Sequence, residues 1–236
     1  MNLLIRIRNA FLKMFGDIKV FKFPFFVLYD PSSYKVKGDD VRNVISQIKD
    51  GDILLRGYSN YLDGWFIPGF FSHAGLYIGK TKKSVQTVIH AMADGVFMED
   101  VINFCRCDYL VILRRNTKIE PTLNSDSFKR VYDKAMESLG KGYDFAFDFS
   151  DIGNLSCTEL VYVCNADAMP KYDVFIKRRN VLFMKKEMLI PDDFLTSKFD
   201  IIFKSNSVKK STLDTIIAKN STLLVFSLLS KLMELF

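Results

Sequence analysis

The sequence predicts an α+β fold in which an antiparallel β-sheet packs against helices. Short segments rich in β-branched residues indicate strands, and two of them form a hairpin pattern. Residues 37–50 and 124–139 carry apolar side chains at helical spacing. Hydrophobic residues make up 49% of the 236 residues, which is enough for a large core and excludes disorder for most of the chain.

The chain divides into three predicted parts. Residues 1–36 form an amphipathic and aromatic extension, residues 37–205 form the main domain, and residues 206–236 form an amphipathic helical tail. Arg6, Arg8 and Lys13 interrupt the first apolar run, so no signal-peptide core is predicted. The first 20 residues instead favour an amphipathic helix, followed by an aromatic connector at 23–31. Packing on the core, contact with a partner and contact with a membrane all stay open for that helix.

The main domain alternates turn signals with strand and helix patterns. A helix over 37–50 ends at Gly51, and the helix at 124–139 is broken by glycines at 140 and 142. The remaining pattern indicates β-structure in an antiparallel, meander-like sheet, with strands at 52–56, 72–80, 84–91 and 108–114 and a third strand or turn of the hairpin region at 95–101.

The two histidines of the chain fall in the predicted hairpin. His73 lies near the start of its first strand and His90 near the end of its second. Because those ends are neighbours in an antiparallel pair, we expect the two imidazole rings to meet across the sheet. The alternative is that each histidine makes an ordinary hydrogen bond in its strand and has no functional role.

A cysteine stands at the predicted start of a helix. Ser156 is a good N-cap and Glu159 follows three residues later, which is the capping-box pattern. Cys157 would then be the first helical residue, where the free amide groups and the helix dipole are expected to lower the pKa of the thiol. Such a thiol is suited to act as a nucleophile, although a buried structural cysteine is the alternative.

Several segments in one order resemble a known superfamily. They are GDILLR, PGFFSHAGLYIG, VIHA, DYLVILR, YDFAFDF and SCTELVY. This succession resembles the NlpC/P60 superfamily of papain-like cysteine hydrolases, and more narrowly its circularly permuted, YiiX/YebB-like branch, in which the histidine strand precedes the cysteine helix. The resemblance covers roughly residues 37–205, and IPDDF at 190–194 resembles a later motif of that branch. It implies an antiparallel sheet or barrel packed against helices, with the nucleophile at a helix N-terminus.

The resemblance implies catalytic roles for three residues. Cys157 matches the nucleophile, His73 the general base, and His90 the polar residue that orients the base ring. Permuted relatives are expected to have an acid at this last position, so His90 departs from that branch. Glu99, one strand further on, is a less favoured orienting residue.

The implied activity is hydrolysis of an amide or peptide bond through an acyl-thioester on Cys157, with His73 as base. Two alternatives stay open. One is a membrane-associated lipid acyltransferase or lipase that uses the same pair, and the other is a catalytically silent binding module of the same fold.

No cofactor or metal ion is predicted. Two histidines and scattered cysteines do not form a zinc ligand set, and neither phosphate-binding glycine motif is present. The carboxylate pairs at 39–40, 99–100 and 192–193 are expected to be helix caps or solvated turns.

The charge pattern bears on partners and location. A net charge of +6 suits anionic partners, a membrane surface included, but is too small to indicate nucleic acid. The expected partner is a peptide, amide or lipid substrate, with peripheral membrane contact through the termini left open. The stretch 221–236 is too short for a clean membrane span, and it could equally pack on the core or on a second subunit. Four cysteines without a disulfide pattern favour the cytoplasm, and the oligomeric state is not predicted.

Overall fold

A computed structural model describes residues 18–22, 25–29, 34–59, 67–80, 86–121, 123–147, 149–151, 153–181 and 184–233, with the backbone alone at 18–22, 25–29, 180–181, 184 and 223–233. The elements in chain order are β1 (Ile18–Lys22), β2 (Phe25–Tyr29), α1 (Gly38–Gln47), β3 (Ile53–Gly57), β4 (His73–Gly79), β5 (Thr87–Met92), β6 (Gly95–Asp100), α2 (Val101–Phe104), β7 (Tyr109–Arg114), α3 (Ser125–Ser138), α4 (Cys157–Cys164), a 3₁₀ turn (Met169–Tyr172), β8 (Lys177–Val181), β9 (Met184–Met188), a second 3₁₀ turn (Pro191–Phe194), β10 (Asp200–Lys204) and α5 (Lys210–Met233).

Within the described residues, the main sheet has six antiparallel strands in the order β10-β7-β3-β4-β5-β6. Strands β3, β4, β5 and β6 follow one another as a meander. Strand β7 returns to the other side of β3, and β10 pairs with its outer edge. The α+β class with an antiparallel sheet is confirmed, whereas the meander describes only four of the six strands.

Helices cover both faces of this sheet. All of β3 and all of β4 are buried. On one face α3 and α4 share a core with Leu76 of β4. On the opposite face Val44 of α1 and Phe104 of α2 share a core with Tyr77. Because both faces are shielded from solvent, the sequences of the central strands are apolar runs and do not alternate between apolar and polar residues.

Phe104 connects the core to the two histidines. Alternation along β4 places His73 and Gly75 on the face that Phe104 covers. A Cβ atom added at Gly75 would lie only 2.7 Å from the Phe104 ring and 2.8 Å from Val88. The same ring lies 5.9 Å from the ring of His73 and 5.3 Å from that of His90, centroid to centroid. Gly75 therefore allows the close packing that encloses the histidine pair.

The N-terminal extension differs from the prediction where it is described. Residues 1–17 of the expected amphipathic helix lie outside the described residues. Ile18–Lys22 is a strand that pairs with Phe25–Tyr29, so the helix was wrong over 18–20 and the aromatic connector contains a strand. Both segments are rich in aromatic and β-branched residues, which favour strands over helices.

The C-terminal helix α5 begins at Lys210, within the helical tail predicted over 206–236. Leu213 of α5 is buried in the core, and the Asn220 side chain donates to the carbonyl oxygens of Asp192 and Leu195, each at 2.9 Å. The first half of α5 thus packs on the domain, and the division at residue 205 stays a prediction. None of the helices within the described residues combines the length and the apolarity needed to cross a membrane.

Replacement of Gly75 by alanine tests the packing around the histidines. The new methyl group must displace Phe104 or Val88, so Gly75→Ala is expected to lower the free energy of unfolding by about 1–3 kcal/mol, measured by urea denaturation. Gly38→Ala is the matched control, because its Cβ meets nothing closer than 3.4 Å. Equal stability of both variants would contradict the close packing at Gly75.

Candidate active site

Cys157 is the first residue of α4, as the capping pattern predicted. The Ser156 hydroxyl accepts a hydrogen bond from the Glu159 N–H at 3.3 Å, and the Glu159 carboxylate accepts from the Ser156 N–H at 2.7 Å. This reciprocal pair is a complete capping box. It fixes the point at which the chain enters the helix and therefore the position of the cysteine.

The loop before the cysteine is held by the same capping residue. Phe147 and Phe149 have positive φ angles of 56° and 58°, a conformation that costs about 1–3 kcal/mol for such residues. The Glu159 carboxylate accepts from the Phe149 N–H at 2.9 Å, and the ring of Phe149 packs on that of Tyr162. Glu159 thus holds both the helix start and the strained loop that leads to Cys157.

The thiol of Cys157 is buried against strand β4. Its residue is only 1% exposed, and its sulfur accepts hydrogen bonds from the backbone N–H groups of Ala74 and Thr158. Ala74 directly follows His73, and α4 packs against β4 and β5. The structure therefore brings the cysteine to the beginning of the strand that carries His73.

Burial raises the pKa of the Cys157 thiol to about 11. The hydrogen bonds from Ala74 and Thr158 lower this pKa only in part, and the nearby Glu159 carboxylate raises it. The expectation that the helix start alone would lower the thiol pKa is therefore wrong. Removing a thiolate from water outweighs the favourable amide groups.

The two histidines meet across the sheet, which confirms their predicted proximity. Nε2 of His73 lies 2.9 Å from Nδ1 of His90, and the two rings are nearly perpendicular, at 85°. His90 is fully buried, with the rings of Phe97 and Phe104 beside it. The contact uses Nε2 of His73 and leaves its Nδ1 for another partner.

Both imidazole rings favour their neutral form. Burial lowers the pKa of His73 well below its usual value, and the positive charge of Arg56 adds to this effect. Burial also lowers the pKa of His90, although its contact with Glu99 opposes the shift. A neutral ring can accept a proton, so His73 has the protonation state that a general base requires.

Glu99 and Arg56 form the outer part of this cluster. Oε2 of Glu99 lies 3.2 Å from Nε2 of His90 and 3.6 Å from Nη1 of Arg56. The approach to His90 is close but not aligned as a linear hydrogen bond. Arg56 is buried, donates to the Phe104 carbonyl oxygen at 3.3 Å and stacks 4.3 Å above the Phe104 ring. The Glu99 carboxylate therefore lies between the His90 ring and the Arg56 guanidinium, in contact with both.

Asp192 fixes the segment that leads into strand β4. Its buried carboxylate accepts hydrogen bonds from the N–H groups of Phe70 at 2.8 Å and Phe71 at 2.9 Å. Burial raises the pKa of Asp192 despite these two donors. Gly69 approaches it so closely that a Cβ there would lie 2.9 Å from the carboxylate. His73 follows two residues after this anchored segment.

The carboxylate pair at 192–193 is not a solvated turn. Asp193 is buried as well, and its Oδ1 forms ion pairs with Lys177 at 2.7 Å and with Arg179 at 2.6 Å. Its other oxygen accepts from the Ile190 N–H at 2.8 Å, which is the capping role that the sequence left open. The predicted helix cap is confirmed for Asp193, whereas the alternative of a solvated turn was wrong because both carboxylates are buried and tie separate segments together.

The sequence of this chain matches a known protein family. The profile of the family described as "Permuted papain-like amidase enzyme, YaeF/YiiX, C92 family" matches residues 47–199, well over half of the chain. The chain belongs to this family. Its membership agrees with the fold and with the predicted resemblance to circularly permuted papain-like cysteine hydrolases.

A solved structure shares the fold of this amidase-family chain. It is the crystal structure of metalloprotein yiiX from Escherichia coli O157:H7, with a TM-score of 0.54 and 17% identity, over 67% of this chain and 98% of that chain. A search among curated proteins finds no match. Within the described part of this chain, no three His, Cys, Asp or Glu side chains form a group that could hold a metal ion.

Two residues of the site were missed by the sequence analysis. Arg56 faces His73 in the pairing of β3 with β4, and Asp192 lies more than a hundred residues from the backbone that it holds. The resemblance of IPDDF at 190–194 to a family motif was a signal for Asp192, but it did not indicate which residues Asp192 contacts. Arg56 offered no signal, because its role depends on the strand register and on the burial of its side chain.

The protonation state of Cys157 can be measured directly. Because its pKa is raised to about 11, the ultraviolet absorption of a thiolate is expected only as the pH approaches that value, in the difference between wild type and Cys157→Ala. Cys164→Ala is the control, because burial raises the pKa of that thiol to about 12. Circular dichroism would follow folding over the same range. A Cys157 thiolate signal already at neutral pH would contradict a raised pKa of the thiol.

Proposed function

We propose that this chain is a cysteine amidase that cleaves an amide or peptide bond through an acyl-thioester on Cys157. His73 serves as the general base, and His90 orients its ring. The observation that carries this proposal is the buried 2.9 Å contact between the two histidines, next to the strand residue whose N–H reaches the thiol. Membership of the permuted papain-like amidase family supports the same reaction class.

The first half of the reaction forms the acyl-enzyme. Nδ1 of His73 takes the thiol proton as the sulfur of Cys157 attacks the carbonyl carbon of the substrate. The negative charge that develops on the carbonyl oxygen accepts a hydrogen bond from the Cys157 N–H, which lies in the first helical turn and needs no intrahelical partner. The protonated His73 then gives its proton to the leaving nitrogen, and the C–N bond breaks.

The second half releases the acyl group. His73 takes a proton from water, the resulting hydroxide attacks the thioester carbon, and the carbon–sulfur bond breaks with return of the proton to the sulfur. A carboxylic acid leaves and the thiol is restored. The buried environment suits a resting neutral thiol and a neutral base, with charge separation only during attack.

Activity should depend on Cys157 and not on the other cysteine of α4. A panel of N-acyl amides, short peptides and matched esters would give kcat/KM for wild type, Cys157→Ala and Cys164→Ala. We expect Cys157→Ala to lose about 10³-fold or more, as removal of a nucleophile does, and Cys164→Ala to stay near wild type because Cys164 ends the helix away from the reacting group.

Two results would contradict the amidase proposal. One is amide hydrolysis that survives in Cys157→Ala. The other is turnover of lipid esters alone, with no amide or peptide cleaved, which would favour the acyltransferase or lipase alternative.

A further inference from the structure

Glu99, His90 and His73 form a chain of three side chains across strands β6, β5 and β4. Pairing of β5 with β6 sets His90 opposite Phe97 and Val88 opposite Glu99. Glu99 is therefore the diagonal neighbour of His90 on the same face, a separation that a long side chain can span. Its carboxylate lies 3.2 Å from Nε2 of His90, whose Nδ1 lies 2.9 Å from Nε2 of His73.

We propose that Glu99 is a positioning residue that sets the tautomers of both histidines, so that His73 presents a bare Nδ1 to the thiol. The proposal rests on the proposed function, because it explains how His73 is prepared as a base. It differs from a triad in which His90 alone is the orienting group.

The donors and acceptors of the three side chains determine where the protons of the two histidines lie. An ionised carboxylate only accepts, and its negative charge lies 3.2 Å from Nε2 of His90, so it favours the tautomer with the proton on that nitrogen. A neutral imidazole has one N–H, and Nδ1 of His90 must therefore accept. The partner atom, Nε2 of His73, must then donate, which leaves the lone pair of His73 on Nδ1. One carboxylate thus determines which ring nitrogen carries the proton in both histidines.

The contact with His90 and the neighbouring arginine charges keep the Glu99 carboxylate ionised. Burial alone would raise the pKa of Glu99, but its contact with His90 and the charges of Arg56 and Arg106 outweigh burial, and the pKa is lowered overall. Arg56 is itself fixed by the Phe104 carbonyl and ring. The carboxylate is therefore an acceptor at neutral pH, where both histidines are neutral as well.

A simpler role for Glu99 is neutralisation of the Arg56 charge without any effect on the histidines. The two roles predict different histidine tautomers in the wild-type protein. If Glu99 sets the tautomers, His73 and His90 both carry the proton on Nε2, whereas a mere ion pair leaves the tautomers to other forces. The chain has only two histidines, so the nitrogen spectrum of the imidazole rings contains only these two residues.

Long-range proton–nitrogen NMR of the untagged, histidine-labelled full chain tests this at about pH 7.5, above the pKa of both rings. We expect both histidines as the Nε2–H tautomer. A wild-type His73 with its proton on Nδ1 would overturn the proposal without any variant. The spectrum does not depend on turnover, so the result stands whether or not the amidase proposal survives.

Two substitutions of Glu99 separate the roles further. Glu99→Met keeps the length of the side chain but offers no carboxylate, and Arg56, which can only donate, then favours a lone pair on His90 Nε2. Both histidines should shift to the Nδ1–H tautomer. Glu99→Gln retains an oxygen that can accept, so the Nε2–H tautomers should persist. Unshifted tautomers in a folded Glu99→Met would also overturn the proposal.

Activity should follow the tautomers. With an amide substrate of the wild type, kcat/KM is expected to fall by about 10²- to 10⁴-fold in Glu99→Met, the range that loss of a positioned base costs, and by less in Glu99→Gln. Glu137→Met, on the exposed side of α3, is the matched control and should stay near wild type. Equal kcat/KM in Glu99→Met and wild type would contradict the proposal, even if Cys157→Ala is inactive.

Discussion

The contact between His73 and His90 depends on how strand β4 pairs with strand β5. Leu76 lies opposite Ile89 in this pairing, and continuing the register makes His90 the diagonal neighbour of His73 on one face of the sheet. A slip of one residue would turn His90 to the other face and separate the rings. The packing of Phe104 over Gly75 on this face adds to the forces that maintain the register.

Burial is the second constraint, and it determines the pKa shifts of the cysteine and of both histidines. It raises the pKa of Cys157 and lowers the pKa of His73 and His90. The site therefore rests without charge at its reacting atoms, while the charges of Glu99 and Arg56 lie at the outer end of the cluster. In the proposed mechanism, attack by the thiol creates an imidazolium in this buried environment, and the negative charge of Glu99 on the far side of His90 stabilises it.

Local patterns in the sequence were sufficient for the parts of the site that depend on neighbouring residues. The capping box placed Cys157 at the start of its helix, and the ends of one hairpin placed His73 near His90. Each of these inferences uses residues within about twenty positions of one another, where spacing determines geometry. The antiparallel sheet followed from the same kind of pattern.

The remaining features depend on contacts between distant segments or on burial. Asp192 holds the backbone before His73 from far along the chain, and Arg56 reaches Glu99 only because of the strand register. The direction of the Cys157 pKa shift depends on how completely α4 is packed against β4, which spacing does not reveal. Strands β8 and β9 were not predicted, because their basic composition resembles a solvated loop.

Intact-mass spectrometry of acid-quenched enzyme during turnover of an amide substrate tests the central claim most directly. We predict a transient increase equal to the mass of the acyl group, located by digestion on the peptide that contains Cys157 and absent from Cys157→Ala. Amide cleavage by wild-type enzyme with no acyl group on that peptide at any time, under conditions that preserve thioesters, would contradict a covalent mechanism at Cys157.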